Sequence, residues 1–334
     1  MCRLTSLLSS GSVTITAVIA LALVSCSDDC TCPIQSGPDG WYRQSPQSWD
    51  DVIYAVTALG AETVIAVGSP GVIVRTTNGG ESWERLTSGT EEFLRGVSFA
   101  DGATGWVVGD NSTILKTTDG GETWNPQTSN VSVNFRDVWF ADENTGWAVG
   151  GPWGGQEGDG YILKTTDGGV SWNTQYTGVT INAVRFADDQ IGCVASGAGT
   201  IFMTADGGAT WAEHDVEAPG FLGGIANHGT EQWWVAGTGG AVFHTSDGGT
   251  EWTMQASGTN RNFSDIFFIN AYIGWALGQL GTIVTTTDGG LTWTFQESGT
   301  TAAIYDLIFV DSQVGWIVGT EGTILKTLTG GANE

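Results

Sequence analysis

Basic residues are scarce: 11 Lys and Arg stand against 36 Asp and Glu in 334 residues, for a formal charge of −25. So few cations cannot assemble a basic face, which argues against nucleic-acid binding and against attraction to an anionic membrane surface. Three histidines, His214, His228 and His244, fall at unrelated positions of the pattern below, which argues against a three-histidine zinc site. The five cysteines are equally sparse. Cys30 and Cys32 would need two further ligands to hold a metal, so a local disulfide or no role is the simpler reading. Cys193 reads as a buried strand residue. There is no Gly-x-Ser-x-Gly elbow and no phosphate loop, and no cofactor is expected. No apolar run spans a bilayer securely; Val13 to Val24, following Arg3, has the length of a signal h-region.

What the chain has in abundance is one repeated stretch, typified by Lys116-Thr117-Thr118-Asp119-Gly120-Gly121-Glu122-Thr123-Trp124. Its aligned Asp or Asn positions are Asn78, Asp119, Asp167, Asp206, Asp247 and Asp288, with Thr329 as a degenerate seventh, at steps of 41, 48, 39, 41, 41 and 41 residues. A period near 40 residues with short strand signals indicates a propeller or solenoid. The glycine pair permits positive φ, and the carboxylate and threonine hydroxyl can accept turn N–H groups. The tryptophan begins the next strand and brings apolar area to it. The stretch resembles the Asp-box, or BNR repeat, and departs from it at Asn78, Glu251 and Thr329. A residue needed once for chemistry is not needed in every unit, so these aspartates are assigned to structure.

The second unit places four strands: Leu94 to Phe99 (A), Gly105 to Gly109 (B), Thr113 to Thr117 (C) and Thr123 to Gln127 (D). Seven such units fill residues 39–334 and predict an all-β, seven-bladed propeller of four-stranded antiparallel blades. The last box runs out at Glu334 without a strand D, whereas Asp39-Gly40-Trp41-Tyr42 looks like the end of a box. The N-terminal strand should therefore complete the last blade and close the ring.

Residues 1–25 read as a signal peptide and 26–38 as a flexible tether. Leu23-Val24-Ser25-Cys26 resembles a bacterial lipobox, with Cys26 as the acylated residue. The alternative is an ordinary secretory signal cleaved nearby. Ser27-Asp28-Asp29 suits an outer-membrane or cell-surface lipoprotein, or one facing the periplasm. Contact with a membrane would then rest on the lipid.

The boxes belong to one face of such a ring, and the irregular features collect on the other. The third B–C loop, Gly150 to Gly160, is seven residues longer than its counterparts. It carries Trp153, Gln156, Glu157 and Asp159, which suit sugar or protein contact, or form a tolerated surface insertion. Glu157 and Asp159 alone are too few for calcium. At the start of strand A one aligned position holds Tyr54, Arg95, Arg136, Asn182, Gly223, Ser264 and Tyr305, which should ring the channel mouth. Arg95, Arg136 and the nearby Arg261 could receive a carboxylate or sulfate, or could pair with Glu91, Glu92 or Asp137. Asp137, Asp265 and Asp306 share the next position; their repetition favours a hydrogen bond within the blade over glycosidase acids.

The unit Leu/Phe-x-Asp-Val-x-Phe…Gly-Trp-x-Val-Gly…Gly-x-Ile-Leu-x-Thr-x-Asp-Gly-Gly-x-Thr-Trp resembles the photosystem II assembly and stability factor family of propellers. Residues 134–172, 263–293 and 304–331 carry the likeness best. It implies a non-catalytic scaffold that binds a membrane or surface protein. The alternative is glycan binding or hydrolysis, since Asp boxes occur in sialidases and xyloglucan-degrading propellers. A sialidase-like site would need an arginine triad with a tyrosine and carboxylates, and Arg95, Arg136 and Arg261 are its candidate arginines.

Overall fold

The computed structural model describes residues 40–44, 50–152 and 159–332. Among these, seven four-stranded antiparallel sheets follow in chain order. Strand A of each sheet packs on strand A of the next, and Val52–Ala58 of the first meets Ile304–Phe309 of the last. The result is the expected seven-bladed propeller. Its last blade takes its outer strand from the other end of the chain: Trp41–Arg43 pairs with Ile324–Thr327, with Trp41 opposite Thr327.

Burial explains the strand sequences. Strand B lies between the faces of its own blade and the neighbouring ones, so Gly105–Gly109, Gly146–Gly150 and Gly315–Gly319 are buried at every position and carry no alternation. Strand D is the outer edge, and Glu84–Thr87 and Thr294–Glu297 are mostly exposed and polar, as an edge requires. The glycine that opens strand B is steric: a Cβ at Gly146 would meet the Phe140 ring at 2.5 Å.

The boxes form as the sequence indicates. Thr117 Oγ1 donates to Asp119 Oδ1 and accepts from the Gly121 N–H. Asp119 also accepts from the Thr123 N–H and hydroxyl, at 2.9 and 2.6 Å. These donors hold Asp119, Asp167, Asp206 and Asp288 down at about 2. Asn78 keeps the geometry with one bond reversed, its Nδ2 donating to Ser82 Oγ. The turn consumes Thr123 and Trp124, so strand D starts at Asn125, two residues later than expected.

The boxes also join the blades. The first box glycine turns its carbonyl to the preceding blade. Gly168 O accepts from Trp106 Nε1, Lys116 Nζ and Gln127 Nε2 at 3.1, 3.0 and 3.3 Å. Gly207, Gly289, Gly330, Gly79 and Gly120 repeat the arrangement with one or two donors each. Lys116, Lys164, Lys326 and Arg75, three residues before their boxes, therefore share one role. Beside these bonds the strand-B tryptophans stack on the next blade: Trp106 on Phe140 and Trp147 on Phe186, at 3.4 and 3.5 Å between centroids. Box tryptophans meet the same phenylalanines edge-on, as Trp172 meets Phe140 at 6.0 Å. The fourth blade departs. Cys193 and Met203 occupy the tryptophan and lysine places, and its seam with the fifth blade is apolar.

Candidate functional site

Box and A–B turn share a face: the Gly120 N–H donates to Ala103 O, and the Gly168 N–H to Asn144 O. The opposite face gathers the B–C loops and the links between blades, and there the central channel opens into a cavity of about 1140 Å³. All seven residues of the aligned strand-A position line it: Tyr54, Arg95, Arg136, Asn182, Gly223, Ser264 and Tyr305. In every A–B strand pair the register shifts at this position, as at Leu94/Gly96 and Phe135/Asp137. Such a shift re-aims a side chain that regular pleating would otherwise place.

The mouth is asymmetric. Arg95 makes a two-pronged pair with Asp110, Nε to Oδ1 at 3.2 Å and Nη2 to Oδ2 at 3.0 Å. The same guanidinium lies 4.2 Å from the Tyr54 ring centroid and 5.1 Å from that of Phe93. Tyr54 in turn meets Tyr305 at 5.4 Å. Arg136 donates to Asn182 Oδ1 and to Pro152 O, both at 2.7 Å. Burial, and then repulsion from Arg95, lower Arg136 to about 10, which leaves it charged at neutral pH. Burial also raises Tyr305, with Tyr54 adding to it, so its phenol stays protonated. Across the opening, Asn182, Gly223 and Ser264 are small or neutral, and Phe221 is exposed beside them.

Several expectations are corrected. Arg95 does pair with a local acid, and the one the structure shows is Asp110, in the B–C loop of its own blade. Arg261 does not line the cavity; it is exposed and bonds Thr282 Oγ1 at 3.0 Å and Leu280 O. Asp137 and Asp306 do not close a bond within the blade alone. Asp137 Oδ2 accepts from the Val184 N–H and Asp306 Oδ2 from the Val56 N–H, each in the following blade, while Oδ1 accepts from the next residue of its own strand. Asp265 hydrogen-bonds to Asp306 instead. These acids are half-buried and fasten neighbouring blades at the channel wall. Burial raises all three, Asp137 to about 7. Trp153, Gln156 and Glu157 lie outside the described residues, as does Cys26; Asp159 is described and exposed.

The sequence reading missed Arg185. It sits three residues beyond Asn182 on the same strand and lines the cavity. Its guanidinium is 4.2 Å from the Trp139 centroid, and its Nε donates to Asn227 Oδ1 at 3.3 Å. Extending the repeat alignment three residues along strand A would have found it. That row reads Thr57, Ser98, Trp139, Arg185, Ala226, Phe267 and Ile308. Among the described residues no group of three or more His, Cys, Asp or Glu is placed to hold a metal, and no helix is long and apolar enough to cross a membrane.

Fold and site together define an Asp-box propeller whose channel opens on one face through a cationic and aromatic mouth. The chain belongs to the family described as photosynthesis system II assembly factor YCF48, whose model matches residues 87–176 and 176–257, just over half the chain. Among solved structures it is similar to YCF48 bound to D1 peptide, with a TM-score of 0.72 at 20% identity over 87% of this chain and 97% of that one. It is similar also to YCF48 from Cyanidioschyzon merolae, with a TM-score of 0.71 at 21% identity over 86% and 98% of the chains. The GH74 xyloglucanase from Xanthomonas campestris shares the fold at 13% identity and a TM-score of 0.68, over 89% of this chain and 54% of that one. No curated protein sequence matches the chain.

Proposed function

We propose that this protein is a non-catalytic propeller that binds a segment of a protein partner at the channel mouth, as a scaffold or assembly factor. The observation that carries the reading is that Arg95, Arg136, Tyr54 and Tyr305 line one opening, with the Arg95 guanidinium over the Tyr54 ring and close to Phe93. Aromatic and arginine groups at a partly buried opening are the usual anchors of protein interfaces. The channel acids support a non-catalytic role, because the oxygens of Asp137 and Asp306 are held by backbone N–H groups of two blades. A relative in the family is described as bound to a D1 peptide, which fits the same use of the ring. Cys26 acylation would tether the propeller to an outer membrane or cell surface through residues 26–38. Metabolic labelling with a palmitate analogue should mark the full chain and not the Cys26→Ser variant.

Binding of an acidic glycan is the second reading, favoured by one observation: the cavity contains three arginines, Arg95, Arg136 and Arg185, together with two tyrosines. Glycan arrays with the full chain test it; retention of acidic glycans only, with loss in Arg95→Ala/Arg136→Ala, would displace the protein partner. For the protein reading, the test is crosslinking capture by the tagged full chain from its own membranes. One membrane protein enriched by wild type and lost in Arg95→Ala/Arg136→Ala is the expected result. Equal enrichment by both would move the site off the mouth.

A further inference from the structure

Past the mouth a second tier faces the cavity, three residues further along each strand A and so roughly 10 Å deeper at about 3.3 Å per residue. It is Thr57, Ser98, Trp139, Arg185, Phe267 and Ile308. Arg185 is its single charged member. Trp139 supports the guanidinium from one side, and Asn227 Oδ1 takes the Nε proton. Among the described residues no carboxylate lies within ion-pairing distance of Arg185, and its terminal nitrogens have no hydrogen-bond partner. Arg185 is itself among the residues that line the cavity. A guanidinium presents five donors in a planar fork that matches a carboxylate.

The nearest opposite charges are Asp265, Asp137 and Asp306. Their own bonding decides what Arg185 can receive. Both oxygens of Asp137 and of Asp306 accept backbone N–H groups, and Asp265 is bonded to Asp306. A cationic ligand would have to break blade fastenings to reach them. An anion finds the Arg185 donors already free and oriented.

We propose that Arg185, on its Trp139 platform, forms the floor of the channel and takes a carboxylate of the segment that enters at the mouth. The inference deepens the proposed function and rests on it. The carboxylate comes from a chain terminus or from an acidic side chain. Its binding strengthens as pH falls. Burial raises Asp137, Asp265 and Asp306, so proton uptake by these acids weakens their repulsion of it, while Arg136 above remains charged.

The test is calorimetry on the full chain with three probes: acetylated tetraglycine with a free terminus, its C-terminal amide, and an amidated peptide of equal length with one Glu. The expected result is at least tenfold tighter binding of one acid probe than of the amide; which acid binds names the source. Arg185→Gln should erase that preference and Arg185→Lys restore part of it. Arg95→Ala/Arg136→Ala should weaken all probes while the preference survives, which separates floor from mouth. Equal affinity for acid and amide in wild type, or a preference that persists in Arg185→Gln, overturns the floor and leaves the mouth standing. Should Arg185→Gln not fold, the wild-type preference is measured at pH 6 and pH 8. Growth at the lower pH supports the floor, and a flat or opposite trend counts against it. Glucuronate binding with no response to any peptide would overturn the protein source.

Discussion

Trp41 packs edge-on against Phe309, ring centroids 5.9 Å apart, although the two residues lie near opposite ends of the described chain. Phe309 also receives the flat face of Trp275 from the sixth blade at 3.8 Å. Trp41 is thus the box tryptophan that the seventh box lacks, supplied by the strand that closes the ring. Its indole is fully buried and donates to Gln296 Oε1.

Trp41→Ala should therefore act on the whole ring. Large-to-small changes at buried aromatic sites cost about 3–5 kcal/mol. Trp41→Phe, which keeps the ring contact and loses the indole N–H, should cost about 1–2 kcal/mol. Urea unfolding measures both. A loss in Trp41→Ala no larger than that of an exposed strand-D substitution such as Thr87→Ala would show that the N-terminal strand does not close the fold.

The seams between blades should differ in strength. Six of the seven seams carry a Trp, Lys, Gln or Arg donor to the next box carbonyl, whereas the fourth blade offers Cys193 and Met203. Hydrogen exchange should be faster at the box of Asp247 than at that of Asp167. Lys116→Met, which deletes one donor to Gly168 O, should destabilise by roughly 1 kcal/mol. Uniform protection across all boxes would remove the latch as a determinant.

Glu251 stands where other boxes have Thr or Ser. Asp247 accordingly has the Glu251 N–H but no hydroxyl on Oδ2. Its carboxyl is lowered by the Thr245 hydroxyl first and that N–H second. Glu251→Thr should bring Asp247 down toward the about 2 of Asp288. Carboxyl carbon NMR titration reads this directly; an unmoved midpoint would mean that the hydroxyl does not set it.

Asp137 gives a pH dependence of opposite sign. Its folded value of about 7 lies above the roughly 3.9 of an unfolded aspartate, so the folded state holds a proton that the unfolded state releases. Its contribution is complete below about pH 4 and is lost as pH climbs through about 7. Stability should decline between about pH 4 and 7, by up to roughly 1.4 kcal/mol per unit for each such acid. Asp137→Asn should flatten the slope. A Tm that rises over this range in wild type and is unchanged by Asp137→Asn would contradict the assignment.

The fold was legible because its determinants repeat. Trp106, Lys116 and Asp119 recur in register, so the unit, the blade count and the closing strand follow from spacing alone. The chain ends reported the closure: the box at Thr329 lacks the tryptophan that Trp41 supplies. Site contacts were less legible because they cross the repeat. Arg95 reaches Asp110 around a strand, and Asp137 and Asp306 bond backbone of the next blade, which no pattern within one unit displays. The mouth ring was found because one aligned column was read down the blades. Arg185 is less legible, because a single cation in a column of Thr, Ser, Trp, Ala, Phe and Ile leaves no repeat signature.

The central claim is that the mouth binds a protein segment through Arg95 and Arg136, and crosslinking capture by the tagged full chain from native membranes tests it most directly. One membrane protein enriched by wild type and reduced at least tenfold in Arg95→Ala/Arg136→Ala, with an unchanged Tm, is the predicted result. No enriched protein, or the same protein at equal yield from the variant, would contradict it.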